Sequence, residues 1–130
     1  MLVLDASVLV ELLLRTRAAG QLERRLFLTP STLHGPHLVD LEVAQTIRRY
    51  ALAGELDAER GRLALADLAD FPMRRHAHEL LLERIWQLRN NLTAYDAVYV
   101  ALAEALDAIL LTRDVRIASA AGHRARIELV

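Results

Sequence analysis

Four acidic residues occupy positions from which their carboxylates can meet at one site. Asp5 directly follows a short apolar run at the N-terminus, and Asp114 follows a second apolar run that ends at Thr112. Glu42 and Asp96 each lie near the start of a segment with helical periodicity. Carboxylates held together without cations raise one another's pKa, and a divalent metal ion relieves their repulsion. Oxygen ligands without Cys favour Mg²⁺ or Mn²⁺, which can activate a water for attack on a phosphodiester. The four acids together therefore predict a metal-dependent nuclease.

Each of these acids also has an ordinary structural alternative. Asp5 and Asp114 are well placed to cap the helices that follow them. Asp96 fits a capping box with Thr93, because the two are three residues apart. Glu42 is compatible with a solvated position on a helix surface. The prediction of a site depends on the four acids together and on none of them alone.

The composition excludes several other kinds of site. The chain has no Cys and no Lys, and its 16 basic side chains are all Arg. Thiolate catalysis, Cys-based zinc sites, disulfides and Schiff-base chemistry are excluded, as is a P-loop that needs its Lys. Ser7 stands where a haloacid-dehalogenase-type site needs a second Asp. The formal net charge is −1, so any surface for a nucleic acid must be local.

The length and the N-terminus bound the architecture and the location. A chain of 130 residues with 54% hydrophobic residues predicts a single domain over 1–130. The first 14 residues are apolar but contain Asp5 and Glu11, and they have no positive flank. This segment fits neither a membrane-spanning helix nor a signal peptide, so we expect a cytoplasmic protein without a membrane partner.

The order of apolar runs predicts the elements that position the acids. Strands are predicted at 2–4, within 29–36, at 71–73, at 108–112 and at 126–130. Helices are predicted at 8–14, 18–27, 37–53, 56–70, 78–91, 93–107 and 114–121. Strands that alternate with helices indicate an α/β fold with a parallel sheet covered on both faces. Sites in such sheets form at the carboxyl ends of the strands.

Four segments of the chain resemble a known family. They are "LVLDASVLVELLL", "PHLVDLEVAQTIRR", "NLTAYDAVYVALAEAL" and "LLTRDVRIASAAG". In this order they resemble the motif blocks of PIN-domain ribonucleases, and among these the VapC-type toxins of toxin–antitoxin systems. The resemblance implies a three-layer sandwich with a central, mostly parallel sheet of four to five short strands flanked by helices on both faces.

The resemblance also implies roles for individual residues. The family's acidic quartet, which binds Mg²⁺ or Mn²⁺ and carries catalysis, matches Asp5, Glu42, Asp96 and Asp114. Ser7 and Thr112 match hydroxyl residues that orient the carboxylates through hydrogen bonds, although a helix cap and strand-end packing are equally compatible with them. Gln45 departs from the family, because many relatives have Asn there. The residues after Asp114 are not acidic, so we expect four acids and no fifth.

The implied function is an endoribonuclease toxin with an RNA substrate, a cognate antitoxin and a homodimeric state. The N-terminal helix "VLVELLLR" is expected to expose an apolar patch for a partner, unless it fills the core. Candidate phosphate ligands are the arginine pairs Arg15 and Arg17, Arg24 and Arg25, Arg48 and Arg49, and Arg74 and Arg75. Two alternatives stay open: a PIN-type nuclease of RNA maturation, and a non-catalytic interaction module with the same fold.

Overall fold

The fold is built on a five-stranded parallel sheet. A computed structural model describes all 130 residues of the chain. Its strands are β1 (Leu2–Leu4), β2 (Leu33–Pro36), β3 (Met73–His76), β4 (Ile109–Thr112) and β5 (Arg126–Leu129). Their order across the sheet is β3-β2-β1-β4-β5, and every neighbouring pair is parallel. The α/β prediction is confirmed.

Helices cover both faces of this sheet. They are α1 (Ala6–Leu13), α2 (Ala19–Phe27), α3 (Leu38–Leu52), α4 (Ala58–Asp70), α5 (Leu82–Gln87), α6 (Ala94–Leu106) and α7 (Val115–Ala118). All three residues of the central strand β1 are buried. Successive strand side chains point to opposite faces, so a strand buried along its whole length must be covered on both sides. None of the helices is both long and apolar enough to cross a bilayer.

The N-terminal helix belongs to the core. The prediction of an exposed apolar patch on this helix is wrong, because α1 packs against α2, α3 and β4. Its buried side chains are Ala6, Val8, Leu9, Val10, Leu12 and Leu13. The large exposed apolar side chains lie on other elements, among them Phe27, Leu28, Leu80 and Trp86.

Helix α6, like α1, is largely buried. The hydroxyl of Thr93 caps its N-terminus by accepting a hydrogen bond from the backbone N–H of Asp96. It ends at Leu106, and the following residue, Asp107, adopts the left-handed conformation. Every residue from 97 to 103 is buried, because α6 packs against β1, β2 and β4. The apolar sequence of this helix follows from that position.

Two predicted elements differ from the structure. The strand expected at 71–73 begins only at Met73 and continues through residues that the sequence suggests are polar loop. The helix expected at 78–91 is shorter, with a 3₁₀ turn at Glu79–Leu81 followed by the six-residue α5. Neither difference affects the carboxyl edge of β1 and β4.

Candidate active site

The four predicted acids line one cavity of about 640 Å³ at the carboxyl edge of the sheet. Asp5 follows β1 and Asp114 follows β4, and these neighbouring parallel strands pair from Leu2 with Ile109 onward. The backbone N–H of Asp5 donates to the carbonyl of Leu111 at 3.1 Å, so the pairing of β1 with β4 continues to the first residue after β1. Glu42 comes to the cavity from α3, and Asp96 comes from the first turn of α6.

Two hydroxyl groups hold the Asp5 carboxylate, which is only 5% exposed. Ser7 Oγ donates to Asp5 Oδ2 at 2.6 Å, and Thr112 Oγ1 donates to the same oxygen at 2.7 Å. These bonds compensate for the loss of water around a buried charge. Each hydroxyl also accepts a backbone N–H: Ser7 from Arg113 at 3.0 Å, and Thr112 from Asp114 at 3.0 Å. The buried carboxylate is thereby connected to the turn that carries Asp114.

Glu42 is held by a tyrosine that the sequence analysis did not identify. Tyr99 is fully buried, and its hydroxyl donates to Glu42 Oε2 at 2.6 Å. Burial raises the pKa of Glu42, the hydrogen bond from Tyr99 lowers it, and the charges of Asp5 and Asp96 raise it. Burial and the nearby Glu42 also raise the pKa of Tyr99 far above its usual value. The phenol therefore keeps its proton and remains a donor.

Asp96 is half-buried in the first turn of α6. Burial raises the pKa of its carboxyl group, and the negative charges of Asp114 and Asp5 raise it further. Thr93 and Arg116 lower it, but with smaller combined effect. A cation in the cavity would favour the ionised form of Asp96, as it would for Glu42.

Asp114 has a different environment, because an arginine already neutralises it. Its carboxylate caps α7 by accepting the backbone N–H of Arg116 at 2.8 Å. The Arg116 guanidinium donates from Nε to Oδ1 at 3.2 Å and from Nη2 to Oδ2 at 2.7 Å. These bonds lower the pKa of Asp114. The Arg116 side chain is 79% exposed, so it can leave the carboxylate without breaking a packed contact.

The donor set fits a hard divalent cation by its chemistry, but the carboxylates do not converge on one point. No group of three His, Asp or Glu side chains lies close enough together to hold an ion. The oxygens of Asp5, Glu42 and Asp114 described above are occupied by hydroxyls, by a phenol and by a guanidinium. Nevertheless, the acids share one cavity, and burial and mutual repulsion raise the pKa of Glu42 and Asp96. These are carboxylates whose charges a metal ion would balance.

The cavity contains a fifth acid that the sequence analysis missed. Glu11 lines it from α1, four residues after Ser7, which is the spacing that places two side chains on one helix face. Its carboxylate accepts a hydrogen bond from Thr16 and lies 3.5 Å from Nε of Arg113. Glu11 already has two partners and does not follow Asp114, so the expectation of no further acid after Asp114 stays a prediction.

The basic side chains of the cavity are also mostly different from those predicted. Of the candidate pairs only Arg49 lines the cavity, while Arg25 binds Glu128 and Arg75 binds Asp40 on other surfaces. Two unpredicted arginines line it, Arg113 and Arg116. Their signal in the sequence is their position on either side of Asp114. Gln45 lines the cavity as well.

A five-stranded parallel sheet with acids at the carboxyl edge of its central strands is compatible with a PIN domain, and the PIN-domain family model matches residues 2–123. The chain is 44% identical over 129 residues to ribonuclease VapC1 of Mycobacterium tuberculosis, covering 98% of this chain and 96% of that protein. The chain therefore belongs to the VapC family of PIN-domain ribonucleases, which confirms the resemblance seen in the sequence.

Solved structures show the same fold at low sequence identity. The crystal structure of M. tuberculosis VapC20, a Sarcin-Ricin loop cleaving toxin, superimposes with a TM-score of 0.72 at 16% identity. That match covers 95% of this chain and 97% of the other. A chain of a toxin–antitoxin complex from Klebsiella pneumoniae gives a TM-score of 0.65 at 23% identity, covering 92% and 91%.

Proposed function

We propose that this protein is a Mg²⁺- or Mn²⁺-dependent endoribonuclease and the toxin of a toxin–antitoxin pair. The observation that carries the proposal is the single cavity that Asp5, Glu42, Asp96 and Asp114 line at the edge of the sheet. Membership of the VapC family supports RNA as the substrate. The reaction is hydrolysis of a phosphodiester bond, and the cytoplasm is where the substrate would be met.

The four carboxylates would hold the metal ion. When bound, the ion supplies a water of lowered pKa and positive charge beside the phosphodiester. Ser7 and Thr112 keep the Asp5 carboxylate in one orientation, and Tyr99 does the same for Glu42. Such hydrogen bonds fix the direction of a ligand oxygen and so reduce the rearrangement that binding requires.

Asp114 must exchange partners for this site to form. In the structure its carboxylate is paired with Arg116, whose side chain is largely exposed. Release of that guanidinium frees Asp114 Oδ2 and leaves a cation at the cavity mouth. Arg49 and Arg113 also line the cavity. These arginines are suited to bind the phosphates of the substrate, since a guanidinium presents two parallel donors.

Cleavage of RNA by the purified protein tests the proposal. Wild-type protein should cleave total RNA in the presence of Mg²⁺ or Mn²⁺, and no cleavage should occur in EDTA. The variant Asp96→Asn should lose cleavage while keeping its fold by circular dichroism. Asp70→Asn is the matched control, because Asp70 is exposed and lies outside the cavity. Cleavage by Asp96→Asn at the wild-type rate would contradict the site.

Metal binding needs a separate measurement, because activity alone does not locate the ion. Calorimetric titration with Mn²⁺ should give saturable binding to the wild type. Asp5→Asn should weaken it strongly, since Asp5 is the most buried of the four acids. Equal Mn²⁺ affinities for the two proteins would place the ion elsewhere, and no binding to either would refute the cofactor.

Two exposed apolar surfaces support two protein partners, a cognate antitoxin and a second copy of the chain. One surface lies at the end of α2, where Phe27 and Leu28 are 70% and 76% exposed. The other lies beside α5, where Leu80 and Trp86 are 92% and 67% exposed. Apolar groups exposed to this extent are typical of protein contacts. Light scattering should give the mass of a dimer, and a strict monomer at high concentration would contradict the homodimer.

A further inference from the structure

The acidic cavity shares a wall with a second, apolar cavity. The shared residues are Leu38 at the start of α3 and Tyr95 in the first turn of α6. Tyr95 directly precedes Asp96 in the chain, and both residues line the acidic cavity. The side chain is 64% exposed, which is high for an aromatic residue at the edge of a core helix. A large aromatic side chain left open beside a polar site commonly serves in binding.

The second cavity has the size and chemistry for one planar apolar group. Its volume is about 200 Å³, below the roughly 300–1,000 Å³ of cavities that take a whole small molecule. Apart from Tyr95 it is lined by aliphatic side chains of α3, α5 and α6 and by His78. Besides Tyr95, His78 is the one polar side chain of the lining and can form a hydrogen bond through its ring. A single ring system therefore fits this cavity better than a charged or extended group.

The acidic cavity supplies the cations that a phosphate backbone needs. Arg49, Arg113 and Arg116 line it from three different elements. Single-stranded RNA is commonly bound by this combination, in which arginines contact phosphates and aromatic rings stack on bases. Tyr95 is the aromatic side chain that lines both cavities, so phosphate and base could be held at the same time.

We propose that Tyr95 stacks on one base of single-stranded RNA and that the apolar cavity receives this base. The base belongs to a nucleotide next to the phosphodiester that is cut. This proposal rests on the proposed function and adds to it a residue that selects the substrate. It makes unpaired nucleotides the preferred substrate, because a base within a duplex cannot enter the cavity. It also predicts a preference among bases, set by stacking and by His78.

A second copy of the chain is the competing occupant of this surface. The most exposed apolar side chains nearby, Leu80 and Trp86, lie outside the lining of the cavity. They can form a dimer contact without filling it. Tyr95 and Leu38 line both cavities, which favours a ligand that contacts both, and a nucleotide chain can do so.

Binding of a fluorescent RNA by an inactive protein tests the proposal. The probe is a single-stranded RNA of mixed sequence that carries one 2-aminopurine, whose emission is quenched when it stacks. The parent protein is Asp5→Asn in Mg²⁺, which leaves Tyr95 and the apolar cavity intact. Adding Tyr95→Ala should abolish the quenching and weaken binding at least about fivefold, as for loss of one stacked base. Adding Tyr95→Phe should preserve both, because the ring remains.

Leu63→Ala is the control, since Leu63 is an exposed apolar residue of α4 outside both cavities and both proposed contact surfaces. It should leave RNA binding and quenching unchanged. Unchanged binding and quenching in the Tyr95→Ala protein would overturn the proposal. So would a light-scattering result in which Tyr95→Ala, but not Tyr95→Phe, converts a dimer to a monomer, because the second copy would then be the occupant.

Cleavage by otherwise wild-type proteins separates this proposal from the proposed function. With an RNA that the wild type cuts, Tyr95→Ala should raise KM. Equal KM values for Tyr95→Ala and the wild type would refute the stacking proposal but not the proposed function. If the wild type neither binds nor cuts RNA in Mg²⁺, the proposed function fails and the stacking proposal fails with it.

Discussion

Removal of the Tyr99 hydroxyl should cost more stability than the size of the change suggests. Tyr99→Phe keeps the buried ring but deletes the donor to Glu42 Oε2, a bond of 2.6 Å. Glu42 is already half-buried, and burial already raises its pKa. A hydrogen bond to a charged acceptor contributes about 1.5–3 kcal/mol. We therefore expect Tyr99→Phe to lower the free energy of unfolding by about 2 kcal/mol near pH 7.

The corresponding change in melting temperature follows from the chain length. For 130 residues, an unfolding entropy of about 2.1 cal/mol/K per residue gives about 0.27 kcal/mol/K in total. A loss of 2 kcal/mol then lowers the melting temperature by about 7 °C. The effect should depend on pH, because the lost bond is strong only to an ionised Glu42. The destabilisation should shrink as the pH falls through the raised pKa of Glu42, because a protonated carboxyl group accepts a weaker hydrogen bond.

A double-mutant cycle in urea isolates this contact. The cycle comprises the wild type, Tyr99→Phe, Glu42→Gln and the double variant, and a coupling energy of about 1–2 kcal/mol is expected. Tyr50→Phe is the control, because Tyr50 also lines the cavity but is partly exposed. A coupling energy within about 0.3 kcal/mol of zero would refute the reasoning. So would a Tyr99→Phe melting temperature equal to that of the wild type.

Three further predictions concern other parts of the chain. His34 Nδ1 lies 2.9 Å from His76 Nε2, and burial lowers the pKa of both rings. As the pH falls, the unfolded chain therefore takes up protons before the folded protein does. The free energy of unfolding measured in urea should be highest above about pH 6.5 and should fall toward about pH 5, and it should fall less in His76→Asn. Arg116→Ala should tighten Mn²⁺ binding several-fold by calorimetry, because it frees the Asp114 carboxylate, and weaker binding would contradict this. Asp57→Ala should lower the free energy of unfolding by about 1 kcal/mol in urea, because Asp57 caps α4, but it should leave RNA cleavage unchanged.

The sheet and the position of the acids could be predicted from the sequence because they depend on local patterns. The buried strands β1 and β4 are continuous apolar runs, and Asp5 and Asp114 follow them directly. The edge strand β3 was placed incorrectly, because its residues are largely Arg and His. An edge strand pairs on one side only, so charged side chains are tolerated there and hide it from a search for apolar runs.

The contacts within the site could not be predicted, because they join residues far apart in the chain. Tyr99 and Glu42 are separated by 57 residues, and no pattern in either helix indicates that they meet. The N-terminal helix was misjudged for a related reason. Its apolar sequence is compatible with a core helix or with an exposed binding face, and only the helices packed around α1 decide between them.

The short motif around Asp5 and the one around Asp114 form a single structural unit. Ser7 and Thr112 each donate to Asp5 Oδ2 and each accept a backbone N–H from the turn before α7. Replacement of Thr112 by Val would preserve its shape but remove one of the two hydroxyl donors to the buried Asp5 carboxylate and leave the N–H of Asp114 without its hydroxyl acceptor. A hydroxyl is therefore required at a fully buried strand end, where a β-branched apolar residue would otherwise pack as well. The two hydroxyl groups that donate to the buried Asp5 carboxylate therefore also hold the backbone of the turn from which α7 begins.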